Sequence, residues 1–144
     1  CFHPDGFDDH NQFRGTPTEL VAWLSGRLGR HAATTHFLSV PLIRLIDQDI
    51  AQSDTYCVAH QLSPVGDDGL RTVTSEALRY LDRFERRNGE WRIAHRQVSV
   101  DWRYQVTVNA VGGPPFPEDW RVGQRSRSDA SYLNVGPAPS ARTR

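Results

Sequence analysis

Histidine is the side chain best placed to move protons near neutral pH, and three of the six in this 144-residue chain fall in apolar surroundings. His36 opens an apolar stretch with Phe37 and Leu38. His60 shares strand alternation with Tyr56, Val58 and Leu62, so a strand that buries Val58 and Leu62 also turns Tyr56 and His60 inward. His95 follows an Asn88-Gly89 pair, the strongest short hairpin signal, because both positions of a type I′ turn need positive φ. A two-residue turn there sets Arg87 opposite Glu90 and Glu85 opposite Arg92, a solvated face of paired charges. The other face carries Tyr80, Asp82 and Phe84 opposite Ile93, His95 and Gln97, which predicts an inward Asp82–His95 pair and Tyr80 facing Gln97. Such a pair is either structural, each partner satisfying the other, or part of a site. A lone histidine on an apolar face is as a rule a satisfied core residue. Two or three around one cavity favour proton transfer.

The elements that would position these residues are legible. Residues 1–15 read as a loop, through Pro4-Asp5-Gly6, Asp8-Asp9-His10-Asn11 and Gly15. Within it His3, Asp5, Asp8, Asp9 and His10 have metal-ligand types but no spacing that converges them, so the segment reads as a solvated turn and no metal is expected. Thr16-Pro17-Thr18-Glu19 is a capping box with Pro at the first helical position, and Leu20, Trp23, Leu24 and Leu28 form one helical face ending near Gly29. Strands follow over 34–46, 50–62, 71–87 and 90–102, separated by turns at 47–49, 64–69 and 88–89. Residues 1–108 are expected to form one α+β domain. Residues 109–144, with Gly112-Gly113-Pro114-Pro115, Pro117 and an Arg-rich end, read as an extended tail.

Composition narrows the function. Acidic and basic residues number 17 each, which argues against a nucleic-acid or anionic-membrane partner. Every basic residue is Arg, as expected of a high-GC bacterial genome. No apolar run approaches the ~20 residues of a membrane span; Val40 to Ile46 is interrupted by Pro41 and Arg44. Cys1 and Cys57 do not make a disulfide framework and are read as free thiols in a reducing cytoplasm. The chain begins at Cys1 and contains no Met, so a preceding segment, or trimming, is expected.

The stretch RYLDRFERRNGEWRIAHRQVSVDW (79–102) closely resembles the strand–Asn-Gly–strand signature of SnoaL-like domains of the NTF2-like superfamily. FHPDG with FRGTPTELVAWL and TTHFLSV, within residues 2–40, resembles the preceding segment of that group, and RSRSDASYL (125–133) resembles the ends of bacterial members. The resemblance implies a curved antiparallel sheet wrapped around helices, with a conical pocket for a small lipophilic, polyketide- or steroid-like molecule. The superfamily includes scytalone dehydratase, bile-acid dehydratases, polyketide cyclases, ketosteroid isomerases and β subunits of ring-hydroxylating dioxygenases. His36 in Thr-His-Phe resembles the catalytic histidine of the dehydratases, and His60 in Ala-His-Gln a second pocket histidine. Leu78 and Tyr80 fall where scytalone dehydratase has polar pocket residues, which argues against scytalone as substrate. The family's catalytic Asp, with a neighbouring Tyr, lies on an N-terminal helix that would precede Cys1.

These readings combine into a cofactor-free dehydratase or isomerase. His36 would take a proton next to a carbonyl, and His60 or Tyr56 would hydrogen-bond the enolate or the leaving hydroxyl. Val58, Leu78, Tyr80, Asp82, His95 and Gln97 would complete the pocket wall. The alternatives are a ligand-binding domain without turnover and a non-catalytic subunit like the dioxygenase β chains. The resemblance further implies homo-oligomers, dimers or trimers.

Overall fold

A computed structural model describes residues 1–109, 117–124 and 126–133. In chain order the elements are β1 (Phe2–Asp9), β2 (Arg14–Gly15), α1 (Pro17–Leu28), β3 (Ala33–Leu38), β4 (Leu42–Leu45), β5 (Ile50–Leu62), β6 (Leu70–Arg87), β7 (Glu90–Asn109) and α2 (Ala130–Leu133). The chain divides into two compact units, residues 1–111 and 112–144. In the second, Asp129 accepts from the backbone N–H of Gln124 (2.7 Å) and Ser131 (2.9 Å) at the start of α2. Gly112 to Pro115, expected within an extended tail, lie outside the described residues, as does Arg125.

The first unit is a seven-stranded curved sheet in the order β2-β1-β7-β6-β5-β3, with β4 pairing β5 beside β3. All pairings are antiparallel except β1 with β7, so the sheet is mixed. α1 begins as its sequence dictates. Thr16 N donates to Glu19 Oε2 at 2.8 Å, Glu19 N donates to Thr16 Oγ1, and Pro17 opens the first turn. Leu20 is its buried anchor.

Residues 1–15 are not a loop. Phe2 to Asp9 pair with β7, and His10 to Phe13 turn the chain back into β2. The turn-forming Pro4-Asp5-Gly6 is absorbed as an irregularity between the Phe2–Ile93 and Phe7–His95 pairings. Gly6 permits this: a Cβ there would meet the carbonyl oxygens of His3 at 3.0 Å and Ile93 at 3.1 Å. Pairing with a long neighbouring strand outweighs local turn preference here.

The β6–β7 hairpin closes as expected, with φ of 53° at Asn88 and 83° at Gly89, and with Arg87 opposite Glu90 and Glu85 opposite Arg92. It is longer than expected, reaching Asn109. Its register then shifts twice. Ala94 is an extra residue between the Phe84–Ile93 and Arg83–His95 pairings, and Asp101 another between Leu78–Val100 and Ala77–Trp102. A bulge inserts one residue and strengthens the local twist. The first shift overturns two expectations. Asp82 faces Arg96 rather than His95, and Tyr80 faces Val98 rather than Gln97.

The inner face of the sheet is therefore built from Ala51, Ser53, Cys57 and Ala59 of β5, from Leu78, Tyr80, Asp82 and Phe84 of β6, and from Ile93, Arg96 and Val98 of β7. The β5 expectation is likewise reversed. Tyr56, Val58, His60 and Leu62 occupy the outer face, with Tyr56 56% exposed. Small side chains face inward because large ones would fill the concavity.

Replacing Gly89 by Ala puts a Cβ at a φ of 83°. We expect a loss of about 1 kcal/mol, the left-handed penalty for an L-residue, measured by urea unfolding with unchanged m-value.

Candidate functional site

Two hollows open on the inner face. One of about 450 Å³ is lined by Leu38, Ile43, Thr55, Phe84 and Arg96. One of about 150 Å³ lies between α1 and the sheet, lined by His10, Trp23, Leu28, Glu76 and Val98. His36 and Tyr80 line both. The two residues thus stand between the two hollows on the concave side.

Its polar wall is buried and largely paired. Asp82 accepts two hydrogen bonds from Arg96, Nε to Oδ1 and Nη2 to Oδ2, each 2.7 Å. The guanidinium lies 4.2 Å from the Tyr80 ring centroid, a cation–π contact. Burial opposes the Arg96 charge, but the Asp82 hydrogen bonds and the nearby carboxylates outweigh it, and its pKa is raised. The Tyr80 hydroxyl is hydrogen-bonded to the Cys57 sulfur. Burial first, then Cys57, pushes the phenol well above its ordinary value, so it stays protonated. The Cys57 thiol is also raised, mainly by burial. Neither is a nucleophile poised by a lowered pKa.

His36, on β3 opposite Ala59, has its pKa lowered from 6.5. Desolvation is the main cause; Glu76 opposes it and His10 adds to it. The neutral imidazole therefore dominates at pH 7, the form a general base needs.

Of the residues predicted from sequence, His36, Leu78, Tyr80 and Asp82 meet on this wall. The other five do not. His60 is on the outer face, its Nδ1 2.9 Å from Ser75 Oγ and its ring edge-on to Phe37. Tyr56 lies under the Arg79 guanidinium on that same face, beside Val58. His95 and Gln97 line a separate outer hollow of about 620 Å³ with Leu42, Arg44 and Arg83. The Ala94 bulge is the cause for His95 and Gln97, and the small-residue phase of β5 for the rest.

Sequence reasoning missed Asp8, His10, Trp23 and Arg96. Asp8 is wholly buried, not solvated, and His10 Nδ1 contacts its Oδ1. The signal for Arg96 was present: Ile93 and Val98 are both apolar core candidates, and their odd spacing requires a phase change between them if both are buried, as they are. Among the described residues no three His, Cys, Asp or Glu side chains group as a metal site.

A profile of the SnoaL-like domain matches residues 1–97, and the chain belongs to that family. Solved structures share its fold. A candidate scytalone dehydratase from Novosphingobium aromaticivorans is 17% identical, with 79% of this chain and 77% of that one covered and a TM-score of 0.57. The hexachlorocyclohexane dehydrochlorinase LinA-type3 from Novosphingobium barchaimii is 13% identical, with 81% and 76% covered and a TM-score of 0.62. A Nostoc punctiforme protein with a cystatin-like fold is 24% identical, with 69% and 71% covered and a TM-score of 0.50. No curated protein matches the sequence.

The Asp82–Arg96 pair supplies a direct test of how the inner wall holds. Asp82→Ala strands a buried cation and is expected to cost about 3 kcal/mol of unfolding free energy. Asp82→Leu with Arg96→Met removes both charges and should recover most of that loss in the same urea titration.

Proposed function

We propose that this SnoaL-like chain is a cofactor-independent acid–base catalyst of the lyase or isomerase type, acting on a lipophilic hydroxy- or keto-compound held on the concave face. The observation that carries this reading is His36: a histidine whose pKa is lowered, mainly by desolvation, on the rim of an apolar-walled space that also holds a protonated phenol. A proton on carbon next to a carbonyl is the substrate feature that such a base addresses. Leu78, Leu38 and Phe84 provide the apolar contact, and Tyr80 stands ready to donate towards developing negative charge. Two structural neighbours carry the names of elimination enzymes, a dehydrochlorinase and a candidate dehydratase, which supports elimination over isomerisation.

The outer face supports assembly into homo-oligomers. Phe37, Tyr56, Trp102 and Tyr104 are 48–62% exposed there, and the Trp102 and Tyr104 rings stack at 5.5 Å. An apolar patch of this kind marks an interaction surface. Among the described residues no helix is long and apolar enough to cross a membrane. Both cysteines are free, which fits the reducing cytoplasm.

Two measurements test these readings. With a panel of lipophilic β-hydroxy ketones followed by enone absorbance, His36→Ala should lower kcat/KM by about 10²–10⁴-fold. In the wild type kcat/KM should fall as pH drops through a value below 6.5, because protonation removes the base. A wild-type rate in His36→Ala would overturn the assignment. In sedimentation equilibrium, Trp102→Asp should shift the protein towards monomer; a wild-type monomer would refute the assembly.

A further inference from the structure

We propose that His10, aimed by Asp8, is a second proton-transferring residue of the cavity and delivers the proton that the leaving hydroxyl needs. The inference rests on the acid–base reading above and assigns the other half of its reaction.

The geometry begins where β1 leaves the sheet. His10 N donates to the Phe13 carbonyl at 2.8 Å, and Gln12 N to the His10 carbonyl at 2.6 Å. Asn11 adopts a φ of 61°, and its side chain donates to the Val98 carbonyl at 3.1 Å. The backbone at His10 is thus tied to β7. Asp8 pairs with Arg96 in register, is fully buried, and presents Oδ1 to His10 Nδ1. With Nδ1 engaged, Nε2 is the nitrogen left for a ligand. The ring sits 6.2 Å from the centroids of both Tyr80 and Trp23 and lines the smaller hollow together with His36. The charged and titratable groups around it are Arg27 from α1, His36 from β3, Glu76 and Tyr80 from β6, and Arg96 from β7.

Two imidazoles line one space in different surroundings. His36 is desolvated and held down further by His10, against the opposing charge of Glu76. His10 has a buried counter-ion. Environments that differ this way separate base from acid. In the elimination, neutral His36 removes the proton α to the carbonyl, and the C–H electron pair forms the enolate. The enolate collapses to C=C as the β C–O bond breaks. The departing oxygen takes the Nε2 proton of His10 and leaves as water. Solvent then restores both rings.

The half-reactions separate experimentally. In D₂O, a β-hydroxy ketone probe reports α-proton exchange by NMR and elimination by enone absorbance. We expect wild type to do both, His36→Ala to lose both, and His10→Gln and Asp8→Asn to keep exchange while losing elimination by about 10²-fold or more. Elimination at the wild-type rate in His10→Gln, with His36→Ala inactive, overturns this inference and leaves the parent reading intact. No exchange in the wild type overturns both. Independently of substrate, ¹⁵N spectra of the rings should show His10 protonated at Nδ1, with the assignment altered in Asp8→Asn. A neutral ring carrying its proton only on Nε2 would refute the aiming role.

Discussion

A sheet wound tightly enough to enclose a cavity has to break its hydrogen-bond ladder, and in this chain it breaks at Ala94 and Asp101 of β7. The extra residue at Ala94 decides which side of β7 is inside. It turns Arg96 and Val98 inward and sends His95 and Gln97 out. Once Arg96 points in, Asp82 has its partner, Tyr80 gains a cation on its face, and Asp8 of the neighbouring strand faces a positive charge instead of a neutral wall. Were β7 regular there, with Ala94 paired opposite Arg83, the strand would present His95 to Asp82 and Arg96 would lie outside.

The polar groups thereby gathered are arranged by burial as much as by pairing. Asp8 and Asp82 are at most 5% exposed, and the Arg96 guanidinium pairs with Asp82 and lies over the Tyr80 ring. Charges this far from water are stable only when partnered. Partial burial also keeps Tyr80 protonated, and desolvation lowers the pKa of His36 at the rim.

The fold was largely legible: the capping box, the Asn-Gly turn, the strand spans and the resemblance of 79–102 all led to the same class. The face assignments were not, and the reason is local. Alternation identifies a face only while the strand stays regular, and the change of phase from Ile93 to Val98 was the one sign of a bulge. On β5 the large residues Tyr56 and Val58 looked like core, whereas the buried positions are Ala51, Ser53, Cys57 and Ala59. A hollow is marked by small side chains, which carry little hydropathic signal. Asp8 and His10 were hidden because Pro4-Asp5-Gly6 announces a turn, and only the distant β7 makes that segment a strand.

The parallel pairing of β1 with β7 has a kinetic consequence. β5, β6 and β7 follow one another through short turns, so their contacts close small loops and form early. β1 must find a partner 88 residues away along the chain, as in Asp8 with Arg96, which places its docking late in folding. Hydrogen exchange should then show β1 opening before the β5–β7 meander. Because β1 carries Asp8 and leads into His10, partly folded chains would hold a formed sheet without the Asp8–His10 contact. Quality control in the cell would meet them as open sheets before the concave face is complete.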